Sequence, residues 1–70
     1  MSQEEIRFVR LPEVTRLTGL GKSQVYALAN AGKFPRPIKL SERCSAWQES
    51  EIRAWIAQRI AARNATAAVM

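Results

Sequence analysis

The residues best equipped for chemistry in this chain are cationic. Between Arg16 and Arg43 stand six basic side chains, Arg16, Lys22, Lys33, Arg36, Lys39 and Arg43, against the single carboxylate Glu42. Outside that stretch the charges cancel, with Arg7, Arg10, Arg53, Arg59 and Arg63 facing Glu4, Glu5, Glu13, Glu49 and Glu51. The net charge of +5 and the isoelectric point near 10.4 therefore belong to the middle of the molecule. Clustered Lys and Arg on a neutral frame are the electrostatic footprint of a polyanion-binding surface. The alternative is a solvated basic face that only keeps the protein soluble.

What is missing is as informative. The chain has no His, no Asp and one Cys, so proton shuttles, metal clusters and hydrolase triads lack their parts. Neither an enzyme nor a bound metal or cofactor is expected. Cys44 has no intramolecular partner, which excludes a disulfide framework and fits a reducing compartment; it reads as a small, partly buried apolar residue.

At 70 residues and 7.9 kDa the chain builds one domain with one core and no spacious ligand cavity. Eleven alanines inflate the 47% apolar fraction, and the larger core candidates include Phe8, Phe34, Trp47 and Trp55. No apolar run approaches a membrane span, and Ser2, Gln3, Glu4 and Glu5 do not form a basic and then apolar leader. A cytoplasmic protein without membrane contact is the expectation.

The cations must be positioned by short elements. Ile6 to Val9 alternates around Phe8 as a short extended segment. Leu11, Pro12 and Glu13 open a first helix, because Pro suits the first turn and Glu complements the dipole there; Val14 and Leu17 form its buried face. Thr18-Gly19-Leu20-Gly21 stops it, with Leu20 folding back as the hydrophobic contact. A second helix from about Lys22 to Asn30 places Val25, Leu28 and Ala29 inward. Its opposite side carries Ser23, Tyr26, Ala27 and Asn30, with Lys22 and Gln24 on the flanks. That face is slim and uncharged in its middle, so another surface can approach it closely.

Gly32 ends this helix, and Phe34-Pro35-Arg36-Pro37 forces extended backbone. A hairpin follows, with Ile38 to Leu40 as a Pro-confined edge strand, Ser41 to Arg43 as the turn and Cys44 to Trp47 as the return. Gln48-Glu49-Ser50-Glu51 caps a third helix whose stripe is Ile52, Trp55, Ile56 and Ile60, with Glu49 and Arg53 paired on its outer side. The expected architecture is α+β, mostly α: a small winged helix-turn-helix of three helices with a β-hairpin wing between the second and third. The folded domain spans 1–63, and the tail 64–70, without a stripe to bury, is expected to fray.

At these residues the chain resembles a known family. Arg7 to Val14, Thr18-Gly19-Leu20, Ser23 with Val25-Tyr26, Ala31 to Pro37 and Trp47 to Ile52 are similar to the AlpA family of phage and prophage regulators, over about residues 6 to 62. The resemblance implies a small DNA-binding protein, related in fold to the MerR and excisionase type, that controls phage or mobile-element genes. Gly21 departs from the Ser or Thr often found before the second helix and offers no side-chain oxygen as a cap.

On this reading the second helix enters the major groove and the hairpin rides on the backbone or reaches the neighbouring minor groove. The candidate DNA-binding residues are Lys22, Ser23, Gln24, Tyr26, Asn30, Lys33, Arg36, Lys39 and Arg43. Gln24 can pair with an adenine edge or stand solvated on the helix flank. Lys22, Ser23 and Tyr26 suit phosphate near the helix N-terminus; Tyr26 also reads as a core-edge residue. Asn30 fits a base, a phosphate or a helix stop, and Arg43 at the hairpin tip fits a narrow minor groove or solvent. Lys39 and Arg36 face phosphate, and Trp47 and Trp55 belong to the core.

Three functional classes share these residues: a sequence-specific transcription regulator, an excisionase-type architectural recombination factor, and a protein-interaction accessory module. Double-stranded DNA is the expected partner. With no long heptad stretch after the third helix, a monomer or weak dimer is expected, binding side by side on repeated half-sites.

Overall fold

A computed structural model describes the backbone of residues 6–69 and the side chains of 6–65. The element order is β1 (Phe8–Val9), α1 (Leu11–Thr18), α2 (Lys22–Asn30), β2 (Ile38–Ser41), β3 (Cys44–Gln48) and α3 (Glu49–Val69). Ser2 to Glu5, read above for a leader pattern, and Met70 of the tail lie outside the described residues.

Helix α1 begins as its Pro12 and Glu13 predict, with Arg10 in extended conformation at its N-cap. It stops at Gly19, whose φ of 79° lies in the left-handed region and whose N–H donates to the Thr15 carbonyl. That conformation costs an L-residue roughly 1–2 kcal/mol, which is why the turn between the helices uses glycine. Helix α2 occupies the predicted span. Its end is closed by a pair of backbone bonds, Gly32 N–H to the Ala29 carbonyl and Lys33 N–H to the Leu28 carbonyl, the arrangement that satisfies the last orphan acceptors of a helix.

The hairpin forms between α2 and α3, and β1 joins it, so the wing is the outer part of a three-stranded antiparallel sheet in the order β1-β3-β2. Phe8 and Val9 lie opposite Gln48 and Trp47, and Ile38 and Lys39 lie opposite Ala46 and Ser45. Strand β2 is an edge, as Pro35 and Pro37 require. A register shift between Lys39 and Ser41 precedes the turn at Glu42 and Arg43. The first free N–H of α3, on Glu49, donates to the Arg7 carbonyl, which binds the start of the last helix to the start of the sheet.

The core is Val14, Val25, Ala29, Phe34, Trp47 and Ile52, with Val9, Leu11, Leu17, Leu20, Leu28, Trp55 and Ile56 packed around it. Each helix thus delivers the stripe its sequence predicted, with three corrections. Phe8 is 51% exposed, because β1 is too short and too close to the edge of the core to bury alternate residues. Ile60 is 47% exposed, because the sheet and the other helices end before the fourth turn of the α3 stripe. The α3 backbone also stays helical to Val69, past the expected boundary at Arg63, while Ala61 to Ala65 are exposed. Alanine-rich sequence has helical propensity enough to continue an established helix without packing. Among the described residues no helix is long and apolar enough to cross a membrane.

Candidate nucleic-acid interface

All nine candidate side chains are exposed. Lys22, Ser23, Gln24, Tyr26 and Asn30 stand on α2, Lys33 and Arg36 on the connection to the wing, Lys39 on β2 and Arg43 in the turn at the wing tip. At about 100° per residue, the buried Val25 and Ala29 with the half-buried Leu28 set the inward direction of α2, and Ser23, Ala27 and Asn30 lie on the opposite side. Tyr26 flanks this face on the side of the wing, where its ring meets that of Trp47. Gln24 flanks it on the side of Leu28.

Two candidates take on structural duties. Gly21 is the extended N-cap of α2 and has no side chain to offer, and its N–H is instead satisfied by the Gln24 Oε1 at 3.0 Å. Half of the reciprocal cap is therefore made by a residue read from the sequence as a base reader. Tyr26, 37% exposed, is both at the face and against the core. Asn30 is the last residue of α2, and the two backbone bonds described above close that end.

Arg36, Lys39 and Arg43 follow one another along the connection and the wing, and Lys33 is set against α3. Lys33 borders Leu20, Leu28, Trp55 and Arg59 in a shallow groove against α3. Its backbone carbonyl accepts the Trp55 Nε1–H at 2.8 Å, and Arg59 lies 5.9 Å over the Trp55 ring.

The ion pairs fall on the frame, where Arg10, Arg59 and Arg63 make none among the described residues. Glu49 holds both Arg53 at 3.0 Å and Arg7 at 3.9 Å, and Glu13 holds Arg16. Lys22, Lys33, Arg36, Lys39 and Arg43 make no ion pair among the described residues. So the basic centre divides: Arg16 is neutralised on α1, and the five cations from α2 through the wing remain available to an external anion.

Sequence reasoning missed the two tryptophan hydrogen bonds that shape this region. The buried Trp47 donates through Nε1 to the Pro35 carbonyl at 2.9 Å, and Trp55 does the same to Lys33. Between them Phe34 is buried, its ring edge-on to Trp55 at 4.8 Å. Two indoles and one phenyl ring thus fix residues 33–35, the segment from which the wing departs. The only signal in the sequence was the pair of tryptophans itself, since buried indoles need a hydrogen-bond acceptor.

The fold defines a winged helix-turn-helix protein with exposed basic residues from its second helix through its hairpin. Residues 7–60 match the family described as prophage CP4-57 regulatory protein (AlpA), and the chain belongs to that family. It is 47% identical over 58 residues to uncharacterized protein ORF88 of Enterobacteria phage P4, an alignment covering 83% of this chain and 66% of the phage protein. It is also 30% identical over 64 residues to the DNA-binding transcriptional activator AlpA of Escherichia coli (strain K12), covering 83% of this chain and 91% of that protein. The chain therefore spans about two thirds of the phage P4 relative and most of the bacterial one.

Proposed function

We propose that this protein is a sequence-specific DNA-binding transcriptional regulator of phage, prophage or mobile-element genes, and not an enzyme. The observation that carries this reading is the division of charge. Among the described residues carboxylates pair with Arg7, Arg16 and Arg53, three of the six arginines on the frame, whereas none of the five cations from α2 through the wing has an ion-pair partner. Unpaired Lys and Arg beside a slim, uncharged helix face suit phosphate contact around a groove-reading helix. The name of the bacterial relative supports the same direction.

In the proposed complex α2 lies in the major groove, with Ser23, Ala27 and Asn30 foremost and Gln24 and Tyr26 on its flanks. Lys22 meets phosphate near the helix start, Arg36 and Lys39 meet phosphate along the connection and wing, and Arg43 enters the minor groove or touches its backbone. Lys33, on the groove against α3, contributes least. Copies bind side by side on repeated half-sites.

Selection of bound sequences from fragmented host and element DNA tests the proposal. A recurrent motif near a promoter, with a change in that promoter's transcript level, is the expected result. Binding that shows no dependence on salt or on sequence would overturn it.

A further inference from the structure

Trp47 sits on β3, the central strand, with none of its surface exposed. It touches three parts of the molecule. Its Nε1–H reaches the Pro35 carbonyl at 2.9 Å, the strand register sets it beside Val9 of β1, and its ring stands 6.0 Å from that of Tyr26, tilted by 53°. The tilted geometry at this separation is one that aromatic rings favour. Among the described residues no hydrogen bond or ion pair joins α2 to β2 or β3. Beside the core packing of Val25 and Ala29, the Tyr26 ring against Trp47 is therefore a side-chain joint between the helix and the wing.

The Tyr26 hydroxyl makes no hydrogen bond among the described residues, so two roles for this side chain compete: a hydroxyl contact to phosphate, or a ring that braces the wing. The second accounts for more of the geometry. Residues 33–35 are already held by Trp47 and Trp55, which fixes where the wing leaves the helix; a contact from α2 itself then fixes its tilt.

Resting on the DNA-binding reading above, we infer that Tyr26 is a positioning residue: its ring, braced on Trp47, sets the wing relative to α2 so that the two engage DNA as one preorganised unit. Fixing the second element before binding removes the ordering cost that a loose wing would impose on the complex. The wing's contribution should then depend on the ring of Tyr26 and not on its hydroxyl.

The experiment combines Tyr26→Phe, Tyr26→Ala, Tyr26→Leu and Arg43→Ala, singly and with each Tyr26 variant paired with Arg43→Ala. Affinity is measured on the DNA site selected above, and hydrogen exchange of the β2 and β3 amides is measured without DNA. Tyr26→Phe should bind within about twofold of the parent, whereas Tyr26→Ala and Tyr26→Leu should lose about tenfold, close to the factor that one aromatic pair is worth. In either background lacking the ring, Arg43→Ala should cost little more, so the two losses do not multiply. Wing amides should exchange about tenfold faster in Tyr26→Ala than in Tyr26→Phe while core amides stay unchanged. A loss in Tyr26→Phe equal to that in Tyr26→Ala would assign the hydroxyl to DNA and overturn the inference. So would losses that multiply, or wing exchange indifferent to the ring. If the parent protein binds no DNA, the functional reading fails by itself, and the exchange measurement still decides whether the ring holds the wing.

Discussion

Gln24 reaches back over the first turn of α2, and its Oε1 accepts the N–H of Gly21 at 3.0 Å. The side chain best suited to read an adenine edge is thus also the one that completes the start of its own helix. Gln24→Glu separates the two duties, because a carboxylate keeps the acceptor for Gly21 and loses the donor that adenine N7 requires. We expect Gln24→Glu to melt with the parent and to lose preference at one base position, judged by affinity for the selected site relative to scrambled DNA. Gln24→Ala should lose the preference, about 1–3 kcal/mol, and about 0.5 kcal/mol of fold stability as well.

Gly21→Ser should stabilise the fold by a few tenths of a kcal/mol, since a hydroxyl at the N-cap can accept an orphan N–H of α2. Gly21 has φ −81°, an ordinary value, and an added Cβ would meet only Gln24 Oε1 at 3.7 Å. A lower melting temperature in Gly21→Ser would show that the gap left at this helix start has another purpose.

Binding should be strongly ionic. With three or four of the unpaired cations on phosphate, log K against log salt should fall with a slope of about −2.7 to −3.6. Lys39→Ala should reduce the slope by about one unit and Lys33→Ala should leave it nearly unchanged, because Lys33 borders the groove against α3. Equal effects of the two substitutions would mean that DNA also covers the α3 side.

Arg43→Ala should weaken specific and scrambled DNA alike and leave the base preference of α2 intact. Its side chain is exposed at the wing tip, so the melting temperature should hold. Titration of both DNAs at two salt concentrations checks this, and a selective loss on the specific site would transfer base reading to the wing.

Truncation after Arg63 should change stability by less than about 0.5 kcal/mol and DNA affinity by less than about twofold, since Ala61 to Ala65 are exposed and among the described residues no core residue lies beyond Ile56. Thermal melts and the same titrations read both quantities.

Much of the fold could be read from local signals. Pro12 and Glu13 marked one helix start, Gly19 and Gly32 marked two helix ends, and Pro35 and Pro37 confined β2 to an edge; each acts through its own backbone. The inward stripe of α2 was legible because Val25, Leu28 and Ala29 recur at helical spacing. The rest depended on partners distant in sequence. Nothing near Trp47 says that Pro35 will accept its N–H, or near Trp55 that Lys33 will. Ile60 continues a stripe whose opposing surface stops first, which periodicity cannot reveal. In the candidate site the residue types and the exposed face followed from charge and helical projection. The place of Tyr26 at the core edge was one of its two readings, but its partner Trp47 and the second duty of Gln24 were not legible, because each is a contact between side chain and neighbour that composition leaves open.

Strand β1 has a consequence in time. Its two residues pair with β3 across the whole helix-turn-helix and hairpin, whereas α1, the Gly19 turn and α2 assemble from near neighbours. Closing so long a loop waits on the local structure it encloses. The amino-terminal strand should therefore be last to dock during folding and first to detach during unfolding. Because the Arg7 carbonyl holds the first turn of α3 through Glu49, its departure would loosen the beginning of the last helix before the helix-turn-helix itself opens.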